Sequence, residues 1–146
     1  MIIGGSLKRD IPEQEYGNIG VYSNIKGFAF EYMTNGRGLV LGDPGPWICA
    51  GMTGGVIYQR FMPERGLTKD AIQRRIAKGV LASIEKLNNT GINDVTELLT
   101  RYASILKENG QHAEAEELAQ LLNNPSQHFV QIVPVKTQAD PSVSTE

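Results

Sequence analysis

Cysteine occurs once in these 146 residues, at position 49. A single thiol cannot close an internal disulfide or supply the paired ligands of a zinc or iron–sulfur site, so no metal centre is expected. Tryptophan also occurs once, as Trp47. Fourteen Lys and Arg stand against 16 Asp and Glu, a formal net charge of −2, so nothing marks the chain as a binder of nucleic acid or of an anionic membrane. No apolar run approaches the roughly 20 residues that span a bilayer. The opening Met1-Ile2-Ile3-Gly4-Gly5-Ser6 lacks the basic start and long apolar centre of a signal peptide, and a cytoplasmic chain is the expectation. The sequon at Asn88-Asn89-Thr90 is then a coincidence. Paired catalytic carboxylates, zinc-ligand spacing and a P-loop are all missing, and no catalytic, cofactor-binding or metal-binding residue is expected.

Glycine, by contrast, is plentiful and unevenly placed. Twelve of the 16 glycines fall in residues 1–55, and they mark a repeat. Tyr16-Gly17-Asn18-Ile19-Gly20-Val21 aligns with Asn35-Gly36-Arg37-Gly38-Leu39-Val40 and then with Gly54-Gly55-Val56-Ile57-Tyr58. Gly17, Gly36 and Gly55 share one column, nineteen residues apart. Just upstream, Tyr32-Met33-Thr34-Asn35-Gly36 recurs as Gly51-Met52-Thr53-Gly54-Gly55, with Phe28 over Trp47 and Phe30 over Cys49. A fixed period near twenty residues predicts a solenoid, each repeat covering its neighbour's apolar face. The apolar runs Phe28-Ala29-Phe30, Leu39-Val40-Leu41 and Val56-Ile57-Tyr58 are short and bracketed by Gly or Pro, which favours strands. The expected fold is a short right-handed parallel β-helix followed by a helical hairpin. Gly17, Gly36, Gly51, Gly54 and Gly55 turn its corners. Met33 over Met52 and Thr34 over Thr53 form its stacked columns.

The rest of the chain changes character near Pro63. Residues 1–15 read as an irregular lead-in, 16–62 as the coils and 63–92 as a helix plus a returning strand. Residues 93–135 read as a helical hairpin with a closing strand, and 136–146 as a disordered tail. The first helix is predicted over 69–78 from a Thr68 cap to a Gly79 stop, with a strand from Val80. Residues 88–93 are predicted as a loop. From an Asn93 cap, Val95, Leu98, Leu99, Tyr102, Ile105 and Leu106 mark an inward stripe that ends at Gly110. Ala115, Leu118, Ala119 and Leu122 mark that of its partner, and Phe129-Val130-Gln131-Ile132-Val133 reads as a strand halted by Pro134.

Single residues read as framework too. The clusters at Gly36–Gly38 and Gly51–Gly55 precede strand-like runs rather than a helix N-terminus, unlike a phosphate-cradling loop. Cys49 sits in an apolar column and reads as a buried small hydrophobe. His112 and His128, remote from it in sequence, read as structural or exposed. Asp43-Pro44-Gly45-Pro46 reads as a rigid turn and Trp47 as an anchor against a neighbouring surface. Arg74, Arg75 and Lys78 read as a solvated basic face of the first helix.

The run Glu31-Tyr32-Met33-Thr34-Asn35-Gly36-Arg37-Gly38-Leu39-Val40-Leu41-Gly42, continued by Ala50-Gly51-Met52-Thr53-Gly54-Gly55, resembles the C-terminal glycine-repeat (GXGXG) domain of the glutamate synthase large subunit. Asn35 stands where that family carries glycine. Residues 98–134 resemble the helical segment that closes the same subunit. The resemblance implies a parallel β-helix with an architectural role in an oxidoreductase that makes glutamate from glutamine and 2-oxoglutarate. It implies that FMN and iron–sulfur clusters belong to partner domains, with none bound by this chain alone. Expected partners are the other domains or subunits of such a complex, or a second copy meeting the open β-helix end, since solenoids need roughly three repeats for stability. Nucleic acid and membrane are not expected partners. Two alternatives are a glycine-repeat subunit of another multi-subunit oxidoreductase, such as formylmethanofuran dehydrogenase, and a generic interaction adaptor built on residues 95–122. An amidotransferase-like or flavin-binding domain would need a nucleophile–base pair or a dinucleotide fingerprint, and the sequence has neither.

Overall fold

Five short strands form one sheet in the computed structural model, which describes residues 1–4, 10–13, 25 and 27–135. Gly17, parts of the 1–15 lead-in and the 136–146 tail lie outside the described residues. Strands β1 (Ile2–Ile3), β2 (Arg37–Val40) and β3 (Val56–Arg60) run parallel. Beside β3 lies β5 (Phe129–Pro134), antiparallel, and β5 pairs antiparallel with β4 (Ala82–Lys86). The order is therefore β1-β2-β3-β5-β4.

This arrangement corrects the expected fold. The chain forms an open mixed sheet with helices, not a parallel β-helix solenoid. The nineteen-residue offset does govern local pairing. Phe28 N–H donates to Pro46 O (3.1 Å), Cys49 N–H to Ala29 O (2.9 Å), Tyr32 N–H to Ala50 O (2.7 Å) and Thr53 N–H to Met33 O (2.9 Å). The repeat thus decides which segments lie side by side, but it cannot choose the strand that pairs beyond its last copy. There the edge of β3 accepts β5 from far along the chain, with Ile57 opposite Ile132. An antiparallel neighbour satisfies the backbone groups that a further coil would have used.

Helix α1 (Lys69–Arg75) begins as expected, with Thr68 Oγ1 accepting from Ala71 N–H at 3.1 Å. It stops before 78 because Ile76 turns extended and bridges Ile48, Ile48 N–H donating to Arg75 O at 2.9 Å. Tertiary hydrogen bonds replace the last helical turn. Helix α2 (Asn89–Glu108) starts earlier than the predicted Asn93 cap, because Asn88 Oδ1 accepts from Gly91 N–H at 2.7 Å. A Cβ on Gly91 would lie 2.7 Å from Gln131 Oε1, so glycine here allows helix and sheet to approach closely. Gly110, in left-handed backbone at φ 76°, turns the chain into α3 (His112–Leu122). The inward stripes differ in detail: Ile105 and Ala119 face solvent, and Leu121 is buried more deeply than Leu122. The short α4 (Pro125–His128) leads into β5.

Strand alternation divides the apolar residues between two faces. Leu39, Tyr58 and Phe129 pack with Val95, Leu98, Leu99 and Leu106 of α2 and Ala115, Leu118 and Leu121 of α3. Val40, Ile57, Ile84 and Ile132 pack on the other face with Ile48, Cys49, Met52, Leu67, Ile72 and Ile76. Each fully buried Leu or Ile contributes about 1.5–3 kcal/mol over leaving it exposed. No helix among the described residues is long and apolar enough to cross a membrane.

Candidate functional site

The turn at 43–46 is fixed from below by charge. Arg75 Nε and Nη2 donate to Asp43 Oδ1 and Oδ2, both at 2.8 Å, and both side chains are 0% exposed. Arg75 Nη1 also donates to Ala71 O at 2.7 Å, and Asp43 Oδ1 accepts from Gly45 N–H at 2.9 Å. The planar guanidinium fork matches the carboxylate and fixes direction as well as distance. This overturns the reading of Arg75 as solvated; Arg74 and Lys78 are exposed. A signal is present in the sequence, since Ala71, Ile72, Arg75 and Ile76 share one helical face at i, i+4 spacing. An arginine within an apolar stripe implies a buried counter-charge, and only the topology can assign one.

Above that turn lies a run of left-handed backbone. Phe28 (φ 60°), Phe30 (62°), Tyr32 (53°), Trp47 (60°) and Cys49 (67°) all have positive φ, and Gly51 (69°) completes the second row. The pattern is every second residue in two segments joined by the nineteen-residue ladder. Each non-glycine residue in this region costs roughly 1–2 kcal/mol, so the surrounding structure must enforce the conformation. Along this run Phe28 (58% exposed), Tyr32 (76%) and Trp47 (52%) lie in solvent, while Cys49 is buried and Phe30 packs partly buried against the core. The Phe28 and Trp47 rings meet at 5.2 Å between centroids, tilted by 33°. Tyr32 lies over Gly51, where a Cβ would fall 2.5 Å from the ring.

A third cluster joins the sheet to α2. Tyr58 Oη donates to Asp94 Oδ2 at 2.5 Å, while Arg37 Nη1 donates to Asp94 Oδ1 and to Glu97 Oε2, both at 2.9 Å. The Arg37 hydrogen bond holds the Glu97 carboxyl below its usual range. Burial, then the bond to Asp94, pushes the Tyr58 hydroxyl upward. A tyrosine kept neutral in this way acts as a donor, not a base. Sequence reasoning misses this cluster, whose members are distant in the chain.

The residues singled out from sequence are distributed through this framework. Gly36 (φ 93°) and Gly55 (φ 82°) stand immediately before β2 and β3 in left-handed backbone. Gly54 N–H donates to Met33 O at 3.2 Å, and a Cβ there would collide with Thr34 O. Met52 is buried in the sheet's helix-α1 face and Met33 packs partly buried against it; Thr34 and Thr53 are exposed. Cys49 is 0% exposed, and burial pushes its thiol up to about 12. Such a thiol stays protonated and unreactive at neutral pH. His112 opens α3 in solvent, and His128 closes α4, its carbonyl accepting from Phe61 N–H at 2.8 Å. The structure brings neither histidine to Cys49 as a bonded partner.

Comparison with known proteins gives two results. A family model described as GXGXG motif matches residues 14–135. A ferredoxin-dependent glutamate synthase from Antithamnion sp. is 35% identical over 127 residues, covering 80% of this chain. The chain spans only 7% of that relative's length.

Proposed function

This chain belongs to the GXGXG motif family, and from that premise we propose that it is the assembly domain of a glutamate synthase-like protein. It orders other domains or subunits and supplies no reacting group of its own. Glutamine and 2-oxoglutarate react elsewhere in that assembly, on domains that carry FMN and iron–sulfur clusters. One observation supports this above the rest: of the four buried polar side chains among the described residues, Asp43, Arg75 and Gln131 hold turns and helix ends in place, and the fourth, Gln59, donates through Nε2 to Gly42 O at 2.7 Å. Arg75 ties α1 to the 43–46 turn, and Gln131 Oε1 accepts from Asn88 N–H at 3.3 Å where α2 begins. Groups with those partners set geometry; a catalytic group would be directed at a substrate. The glutamate synthase relative favours this parent over the other oxidoreductases that carry glycine repeats.

The test is complementation in trans. The synthase relative, deleted of the segment matching this chain, is co-expressed with the full chain and assayed for glutamate formation from glutamine and 2-oxoglutarate. Recovery of activity together with co-purification is the expected result. Turnover of glutamine by the chain alone, or failure to associate, would overturn the reading.

A further inference from the structure

The sheet ends on β1 at one side and on β4 at the other. Strand β1 has two residues, whereas β4 has five, and one bond tells which way its backbone groups point. Val135 N–H donates to Leu81 O at 2.9 Å, continuing the antiparallel register in which Ser83 faces Val133 and Glu85 faces Gln131. The odd-numbered residues of β4 therefore turn their N–H and C=O toward β5, and Ala82, Ile84 and Lys86 turn theirs away from it. Those three N–H and three C=O groups have no hydrogen-bond partner among the described residues.

Proteins usually blunt such an edge with proline, a bulge or a very short strand. Strand β4 has no proline, and its register with β5 runs unbroken from Ala82 to Lys86. An apolar pair extends the same ladder: Leu81 is 60% exposed and Val135, bonded across from it, is 47% exposed. An open edge of this kind can be completed only by another extended chain, and the sequence of β4 matches one such chain, itself. In an antiparallel pair centred on Ile84, Ile84 faces Ile84 of the second copy, Ser83 faces Glu85 and Ala82 faces Lys86. No like charges are opposed, and all the outward groups are satisfied, since Ala82, Ile84 and Lys86 pair only with one another. Centring on Glu85 instead would oppose two carboxylates. Centring on Ser83 would set Leu81 against Glu85 and leave Lys86 beyond the strand.

We propose that β4 is a self-association edge, on which a second copy of this chain adds its own β4 antiparallel about Ile84, joining two sheets into one. In that register exposed Leu81 of one copy comes opposite Leu87 of the other, which belongs to the core under the α2–α3 hairpin. The Ile84 side chain stays in the core on the α1 face, because the pairing uses backbone groups. The contact is two-fold symmetric and uses the same edge of both copies, so it closes at a dimer. This surface is independent of the assembly role argued above and stands or falls without it.

Sedimentation equilibrium of the full chain, with amide hydrogen exchange read residue by residue at micromolar and millimolar concentration, tests the assignment. A dimer is expected, with exchange at Ala82, Ile84 and Lys86 slowing as concentration rises while Ser83 and Glu85 are protected throughout. Ala82→Pro removes an N–H that has no partner in the single chain, so the fold is kept, circular dichroism being the check. Two symmetry-related hydrogen bonds go with it, and association should weaken about 30-fold. Ser83→Glu, which sets two carboxylates against each other across the two-fold, should also favour the monomer, and adding Glu85→Lys to it should restore the dimer. A chain that remains monomeric at millimolar concentration overturns the proposal. So does a dimer whose Ala82, Ile84 and Lys86 amides exchange equally fast at both concentrations. If those amides become protected only when the segment-deleted synthase is added, the occupant is that polypeptide and the assignment to a second copy falls.

Discussion

Replacing Asp43 by asparagine separates charge from shape in the pair that fixes the 43–46 turn. The amide is close to isosteric, and its oxygen can still accept from Gly45 N–H, which lies 2.9 Å from Asp43 Oδ1. What is lost is the negative charge opposite Arg75, at a site where both side chains are 0% exposed. Breaking a buried pair by removing one partner costs about 3–5 kcal/mol, because the remaining charge stays desolvated. That is a large part of the roughly 5–15 kcal/mol by which a domain is stable. With a urea slope of about 2 kcal/mol per molar, the unfolding midpoint should fall by about 2 M. Far-ultraviolet circular dichroism, with Trp47 emission as a second probe, would follow the transition. Arg75→Met should cost a similar amount, since it leaves the carboxylate buried. The double variant should be less damaged than the sum of the two, with the coupling read from the cycle. A loss below about 1 kcal/mol in both single variants, the range of an exposed ion pair, would refute the reasoning.

Three further outcomes rest on the same geometry. Cys49 should resist alkylation in the native state and react at the rate of global unfolding, because its thiol is buried and held protonated; rapid native labelling would contradict the packing. Gly55→Ala should cost clearly more than Gly110→Ala: both are left-handed, but a Cβ at 55 would lie 2.7 Å from Met33 Cε and 3.0 Å from Gly36 O, whereas nothing lies within 4 Å at 110. Denaturation of the two variants side by side decides this. Tyr58 has a hydroxyl pushed above its ordinary value in the folded chain, so its contribution is intact below about pH 10 and is lost as pH rises further. Urea titrations at about pH 8 and about pH 11 should show a smaller alkaline loss of stability in Tyr58→Phe than in wild type.

Local chemistry makes part of this fold legible and leaves its long-range choices hidden. The hairpin is readable because Leu98, Leu99 and Leu106 repeat at helical spacing and Gly110 marks the turn. Thr68 is readable as a cap because its side chain satisfies a helix-end N–H. The start of α2 is hidden because glycine at 91 looks like a breaker, while its actual function is to let Gln131 approach. The repeat predicts a solenoid because periodicity reports which segments are neighbours and says nothing about the strand that ends the series. That strand, β5, is chosen by pairing across the whole chain, Tyr58 opposite Gln131 and Gln59 opposite Val130. Within the candidate site, Trp47 stands out in sequence as an anchor, but the left-handed backbone it adopts depends on hydrogen bonds no local pattern reveals.

The position of β5 also constrains how the molecule can be made. It is the last described strand in the chain, yet it occupies an interior place in the sheet, between β3 and β4. A nascent chain emerging from the ribosome can fold its α2–α3 hairpin early, since those contacts are local. Its parallel strands and β4 must wait, with their edges unpaired, until residues 129–134 arrive. Non-local pairing of this kind slows folding and leaves strand edges exposed to other chains in the interval. A premature stop just before Phe129 would therefore do more than shorten the protein by a strand; it would leave β4 without its only neighbour in the described sheet and release a half-formed one to aggregate.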